Sequence, residues 1–140
     1  MMKKIFLLIT FSLVMLGLSS CNNDDRFDWS PMKWRTETDI ATSSAVNTIS
    51  VPKEGGTFTF TCKNYSRIWL SNIAEKTATG NYDKHTEAKD INNASISWMT
   101  ASIKDNTLTV EIKPNDKEKR SAYVSVSAGN IFDSFRFYQE

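Results

Sequence analysis

The segment SAYVSVSAGNIFDSFRFYQ, residues 121–139, decides the fold of this 140-residue chain. It contains two runs in which apolar residues alternate with polar ones, and Gly129-Asn130 separates the runs. Alternation with a period of two is typical of a β-strand with one buried face, and a Gly-Asn pair suits the two-residue loop of a hairpin. The segment therefore predicts an antiparallel hairpin.

A two-residue loop fixes which residues of this hairpin lie opposite each other. The predicted pairs on the apolar face are Ala128 with Ile131, Val126 with Asp133, Val124 with Phe135, and Ala122 with Phe137. The predicted pairs on the other face are Ser127 with Phe132, Ser125 with Ser134, Tyr123 with Arg136, and Ser121 with Tyr138. A slip of one residue would mix the two sets, and Asp133 is the one misfit on the apolar face.

The same period of two continues upstream, from Ile49 onward. Gly55-Gly56 and Asp105-Asn106 supply further turns, because Gly and Asn tolerate a positive φ. The predicted strands lie near Thr48–Val51, Thr57–Lys63, Arg67–Asn72, Ser95–Ile103, Thr107–Lys113, Ser121–Ala128 and Ile131–Gln139. Two amphipathic sheets must cover each other's apolar faces, so the chain is all-β and predicts an antiparallel β-sandwich of about seven strands.

The hairpin around Asp105-Asn106 leaves one question open. Its apolar pairs are predicted to be Leu108 with Ile103, Val110 with Ala101, and Ile112 with Met99. Strict alternation then places Trp98 on the opposite face, although a tryptophan here is expected in the core. A β-bulge would reconcile the two expectations.

The polar stretch EKTATGNYDKHTEAKDINN, residues 75–93, interrupts the strands. We expect an exposed excursion there, with a short hairpin of its own, because loops of this length are often functional or disordered. Its acidic and amide side chains lack the spacing of a calcium loop, so no metal is predicted.

The first twenty residues read as a cleaved signal peptide. Lys3 and Lys4 precede an uncharged run from Ile5 to Leu18, which is too short to span a bilayer. Leu18-Ser19-Ser20-Cys21 resembles the lipobox of bacterial lipoproteins. That resemblance implies cleavage before Cys21 and acylation of its thiol and new amine. The alternative is a soluble secreted protein in which Cys21 has no such role.

The residues after Cys21 extend this resemblance. NNDDRFD, residues 22–28, resembles the acidic stretch that sends lipoproteins of the Bacteroidetes to the outer face of the outer membrane. The expected location is therefore the outer membrane, lipid-anchored and at the cell surface, with a periplasmic face as the alternative.

Composition excludes several classes of function. The full chain has 17 basic and 16 acidic residues, and loss of Lys3 and Lys4 leaves a net charge near −1 without a basic cluster, so no nucleic-acid partner is expected. Cys62 has no partner once Cys21 is acylated and is predicted to be buried. With one histidine, His85, and no phosphate loop or metal-ligand spacing, neither an enzyme nor a cofactor is predicted.

Several sequence elements, in this order, resemble the BACON domain of Bacteroidetes proteins. They are ISVPKEGGTFTFTCK (49–63), Trp69, ISWMT (96–100), LTVEIKPNDKEKRSAYVSVSAG (108–129) and FRFYQ (135–139). The resemblance implies an immunoglobulin-like β-sandwich over residues 49–140, with residues 21–48 as lipidated tether and N-terminal segment. It also implies carbohydrate binding. The chain departs from the family's usual setting because it carries no catalytic domain and has an additional segment, residues 27–46.

Aromatic residues are the candidate ligand-binding side chains, because ring faces stack on sugar C–H surfaces. Trp29 and Trp34 flank Pro31 and would form such a platform if exposed, although an edge strand that buries both rings is the favoured interpretation. Tyr65 and Tyr82 lie among turn formers and are expected in solvent. Tyr123 and Arg136 are expected to meet on the outer face of the last hairpin, which Phe132 and Tyr138 extend. Alternatively, a second copy of this segment or the N-terminal arm covers that face, and no ligand binds there.

Two hypotheses of function follow. The first is a non-enzymatic surface lipoprotein that binds a carbohydrate or a glycoprotein such as mucin. The alternative is a structural or adaptor subunit that contacts proteins of an outer-membrane complex. Fold alone does not decide between them.

Overall fold

The computed structural model describes residues 30–43, 46–76, 84–87 and 90–140, and these ranges contain strands and turns but no helix. The residues Cys21, Trp29 and Tyr82 lie outside the described ranges. In the described part of the chain, no helix is long and apolar enough to cross a membrane. The strands are β1 (Trp34–Arg35), β2 (Ala41–Ser43), β3 (Val46–Val51), β4 (Gly56–Cys62), β5 (Trp69–Glu75), β6 (Lys84–Glu87), β7 (Asn93–Ser95), β8 (Met99–Lys104), β9 (Thr107–Ile112), β10 (Arg120–Ala128) and β11 (Ile131–Gln139).

These strands form the predicted β-sandwich. One sheet has the order β1-β4-β9-β8-β7, and the other has the order β2-β3-β11-β10-β5-β6. All pairs are antiparallel except β3 with β11, which are parallel, with Ile49 beside Phe137. The predicted antiparallel β-sandwich therefore contains one parallel pair among the described strands. A parallel pair requires a long connection, and nearly the whole domain separates these two strands.

The register of the last hairpin is confirmed at every predicted pair, from Ala128 with Ile131 to Ser121 with Tyr138. The misfit Asp133 is half-buried and receives two side-chain hydrogen bonds. Its Oδ2 accepts from Trp34 Nε1 at 2.7 Å and from Asn47 Nδ2 at 3.2 Å. The carboxylate is thus kept on the inner face because β1 and β3 supply donors to it.

The hairpin of β8 and β9 is also confirmed, with Ile103, Ala101 and Met99 opposite the predicted partners. Its loop differs in one detail, since Asp105 adopts the positive φ of 54°. Asn106 instead uses its side chain, whose Nδ2 donates to the carbonyl of Cys62 at 2.8 Å.

The burial of Trp98, which strict alternation did not explain, requires no β-bulge. It lies one residue before β8 begins, so strict alternation does not apply to it, and only 4% of its surface is exposed. The predicted strand Ser95–Ile103 is in fact two strands, β7 and β8. A turn separates them, in which the amide of Ile96 donates to the carbonyl of Met99 at 2.9 Å.

The core lies between the two sheets and is built around phenylalanine rings. Phe60 of the first sheet packs on Phe135 of the second, with ring centroids 4.5 Å apart, and on Phe137 at 6.2 Å. Cys62 is buried beside them, as predicted. Burial of these apolar side chains supplies the main free energy of folding.

Residues 30–43 form an N-terminal strap that joins both sheets. β1 pairs with β4 in the first sheet, and β2 pairs with β3 in the second. Met32 is buried in the core, and the ring of Trp34 packs edge-on against Phe135 at 4.9 Å. The sandwich therefore begins by Ser30, earlier than the predicted boundary at residue 49. The strap lacks the periodic pattern on which that boundary rested.

The polar stretch 75–93 was expected to contain a short hairpin, and one strand of it, β6, is present. β6 pairs with β5, with His85 beside Ala74. At its end, the carboxylate of Asp90 accepts hydrogen bonds from the amide of Asn92 and the side chain of Asn93. These bonds hold the pKa of Asp90 below its ordinary value because they favour the charged form.

Candidate binding face on the six-stranded sheet

The outward surface of β5, β10 and β11 forms one continuous face, which we call the outer face. Alternation along β10 and β11 sends one set of side chains to the core and the other set to this face. Its members are Trp69, Asn72, Tyr123, Ser125, Ser127, Phe132, Ser134, Arg136 and Tyr138.

A β-bulge brings Trp69 onto the outer face. The register of β5 against β10 shifts between Ser125 and Val126, so that Ser127 faces Trp69 while Ser125 faces Asn72. Trp69 is half-buried, and the next residue, Leu70, points into the core. Strict alternation would have placed Trp69 on the same side as Ile73, so sequence reasoning missed this residue. The extra residue of a bulge leaves no periodic signal.

One end of the outer face carries an apolar row, which consists of Trp69 and Phe132 on either side of Ser127. Phe132 is 66% exposed, which is unusual for a phenylalanine in a small domain.

The middle of the face is lined by serine hydroxyls. Ser125 Oγ and Ser134 Oγ lie 2.9 Å apart and share a hydrogen bond across β10 and β11. Hydroxyl groups both donate and accept hydrogen bonds, so this band can contact polar ligands without a change of protonation.

The other end carries a tyrosine–arginine cluster, which consists of Tyr123, Arg136 and Tyr138. Tyr123 and Arg136 are direct cross-strand neighbours, as predicted, and both are half-buried. The Tyr123 hydroxyl accepts from Asn72 Nδ2 at 3.3 Å, and Arg136 Nη1 lies 3.4 Å from the Tyr138 hydroxyl. Tyr138 is 40% exposed. The cluster presents aromatic surface and hydrogen-bonding groups together.

Two of the predicted binding residues, Trp34 and Tyr65, lie away from the outer face and pack against the core. The edge-strand interpretation holds for Trp34, whose ring is half-buried and whose indole N–H donates to Asp133. Tyr65 is half-buried, so the expectation that it lies in solvent is wrong. Its hydroxyl donates to the carbonyl of Ser30, and its ring packs against the core. The neighbouring Asn64 binds the carbonyl of Pro31, so these turn residues hold the N-terminal strap.

An open cleft of about 1250 Å³ lies at the end of the sandwich around Trp98 and Arg120. The guanidinium of Arg120 stacks on the Trp98 ring at 4.3 Å, and Trp98 Nε1 donates to Glu75 at 2.7 Å. Burial lowers the pKa of Arg120, and the charge of Glu75 opposes that shift.

Gln139 ties this cleft to the surrounding loops. Its Oε1 accepts from Arg120 Nε at 2.8 Å, and its Nε2 donates to the carbonyls of Pro52 at 3.1 Å and Lys113 at 2.9 Å. The side chains at the base of the cleft therefore bind one another and the neighbouring loops, and they stabilise this end of the sandwich. Among the described residues, no group of three His, Cys, Asp or Glu side chains lies close enough to hold a metal ion.

Comparison with known proteins finds a solved structure that is similar to this chain. No family model and no curated protein matches the chain. A solved structure, described as the NMR structure of the protein from Bacteroides thetaiotaomicron, matches with a TM-score of 0.65. It is 34% identical over 79% of this chain and 87% of its own. The chain is thus an immunoglobulin-like β-sandwich module. More particularly, it belongs to the same family as that Bacteroides protein.

Proposed function

We propose that this protein is a BACON-like lipoprotein of the outer membrane, anchored through acylated Cys21 at the cell surface. It binds a carbohydrate or a glycoprotein such as mucin and performs no catalysis. The observation that carries the proposal is the tyrosine–arginine cluster, which gathers Tyr123, Arg136 and Tyr138 at one end of a flat, serine-lined sheet face. The resemblance of Leu18–Cys21 to a lipobox supports the anchor.

The chemistry of the cluster suits a sugar. A tyrosine ring offers an apolar face to the C–H side of a pyranose, and its hydroxyl reaches the sugar's own hydroxyl groups. The guanidinium of Arg136 supplies several fixed donors. A flat face suits an extended glycan chain better than a small molecule, because small ligands bind in deep, enclosed pockets.

Binding to a glycan and mucin panel tests this function. Residues 22–140 contain every described buried side chain and are used as the probe. The Tyr138→Ala variant is expected to lose about tenfold or more in affinity for the glycan that binds, because truncation of a hot-spot aromatic costs about 2 kcal/mol or more. Isothermal titration gives the two dissociation constants.

Ile91→Ser is the matched control, since Ile91 is also exposed but lies in a turn away from the cluster. Its affinity should equal that of the wild type. If no glycan binds, and mild crosslinking instead recovers a stoichiometric protein partner, the proposal is wrong and the adaptor hypothesis replaces it.

The anchor is tested separately on cells. Cys21→Ala is expected to move the protein from the membrane fraction to the soluble fraction, because the acyl chains supply the membrane affinity. Protease added to intact cells should digest the wild-type domain. Protection until the cells are lysed would overturn the surface location, and membrane retention of the variant would overturn the lipid anchor.

A further inference from the structure

The chain from the N-terminus enters the sandwich at one identifiable end, which we call the entry end. The carbonyl of Ser30 accepts a hydrogen bond from the Tyr65 hydroxyl, just after β4. The amide of Ile68 in the same connection donates to the carbonyl of Asp105, in the β8–β9 turn. Trp69 follows and faces Ser127, beside the β10–β11 turn. Both hairpin turns and the entering chain therefore share this end.

The most exposed large apolar side chains of the described residues also lie at the entry end. They are Phe132 at 66% and Ile91 at 53%. Phe132 comes directly after the first residue of β11, and the carbonyl of Ile91 accepts from the amide of Leu70 at the start of β5. Together with Trp69 they form what we call the entry-end patch. Exposed apolar side chains that gather in one region point to an interaction site, whereas singly scattered ones do not.

Chain length limits how far this patch can be from the anchor. Eight residues lie between Cys21 and Ser30, and the nine Cα steps of a fully extended chain reach about 30 Å at most. Among the described residues, the exposed charged side chains at the entry end are mainly basic, which suits anionic lipid head groups. They are Lys33, Lys63, Arg67 and Lys104, against Asp90 and Asp105.

We propose that the entry-end patch docks on the anionic lipid surface that holds the anchor. Phe132, Ile91 and the edge of Trp69 enter the head-group region, and the basic side chains contact lipid phosphates. The inference rests on the lipid anchor of the proposed function. It also orients the domain, because Tyr138 lies six residues along β11 from Phe132, about 20 Å away. The tyrosine–arginine cluster would thus be held away from the membrane and toward ligand.

Tryptophan quenching by brominated lipid tests the docking. Residues 22–140 carry an N-terminal histidine tag and Trp29→Phe, and are tethered to vesicles of phosphatidylcholine and phosphatidylglycerol through a nickel-chelating lipid. This tether replaces acylation, so the result is independent of whether Cys21 is modified. Bromine on the acyl chains should quench Trp69 fluorescence. Trp34, whose ring packs inward on Phe135, and Trp98, which is buried at the opposite end, should respond little.

The double variant Phe132→Ser, Ile91→Ser is expected to lose this quenching, while Tyr138→Ser should retain it. Both replaced apolar side chains are exposed, so the variant should fold, and an unchanged melting temperature verifies this. Removal of phosphatidylglycerol should weaken the quenching. Absence of quenching in the wild type, or quenching that survives the double variant, overturns the proposal and leaves the patch as a contact for a protein.

Discussion

Replacing Gly55 with alanine is expected to destabilise the domain by about 3 kcal/mol or more. Gly55 has φ of 73°, a conformation that costs an L-residue about 1–2 kcal/mol. A Cβ at this position would also lie 2.1 Å from the carbonyl oxygen of Ile112 and 2.8 Å from the carbonyl carbon of Lys113. Both atoms belong to the backbone, so the turn before β4 must move away from β9 and strain the pairing.

Gly129→Ala is the matched control for this prediction. Gly129 has a similar φ of 66°, but a Cβ there would meet no atom within 4 Å. Its cost should be about 1 kcal/mol, because the strained φ is partly offset by the lower entropy of the unfolded chain. Urea unfolding of the two variants gives both values. Equal losses would show that the close approach to Ile112 does not limit this position.

Replacing Gln139 with leucine is expected to cost about 3 kcal/mol. Gln139 is 1% exposed, and its amide binds the carbonyls of Pro52 and Lys113 while accepting from Arg120. Leucine keeps the volume but removes three hydrogen bonds. The carbonyls of Pro52 and Lys113 keep other donors, the amide of Gly55 and Arg120 Nη2, whereas Arg120 Nε loses its acceptor. Each lost bond costs about 0.5–1.5 kcal/mol. The fall in melting temperature should be roughly 12 °C or more for a domain of this size.

Ser125→Ala is the corresponding control, since it removes a hydrogen bond from the same pair of strands at a half-buried site. Ser125 Oγ bonds only a hydroxyl, that of Ser134, which can turn to water instead. The expected loss is about 0.5–1 kcal/mol. A loss for Gln139→Leu as small as this would mean that water enters the cleft and replaces the missing donor.

The parts of the fold that sequence predicted are those in which local pattern and loop length act together. Residues 121–139 alternate strictly around a two-residue loop, and every pair of the hairpin followed from that. The same reasoning placed Tyr123 beside Arg136, with Tyr138 on the same face, and so located all three members of the tyrosine–arginine cluster. The buried Cys62 followed from its place in an alternating strand.

The parts that sequence missed depend on contacts between distant segments. β1, β2, β6 and β7 have two to four residues each, too few to show a period, and they are stabilised by longer neighbours. The bulge that turns Trp69 outward shifts the register by one residue without a marker. Tyr65 looked exposed because turn formers surround it, but the strap that it binds lies 35 residues earlier.

The parallel pairing of β3 with β11 determines when the domain can fold. A chain is synthesised from its N-terminus, so β3 emerges early while its partner is the last of the described strands. The six-stranded sheet therefore cannot close until the final residues are available, and a pairing of such high contact order is slow to form. If the protein is exported as proposed, this delay keeps the chain unfolded and so able to pass through a translocation channel.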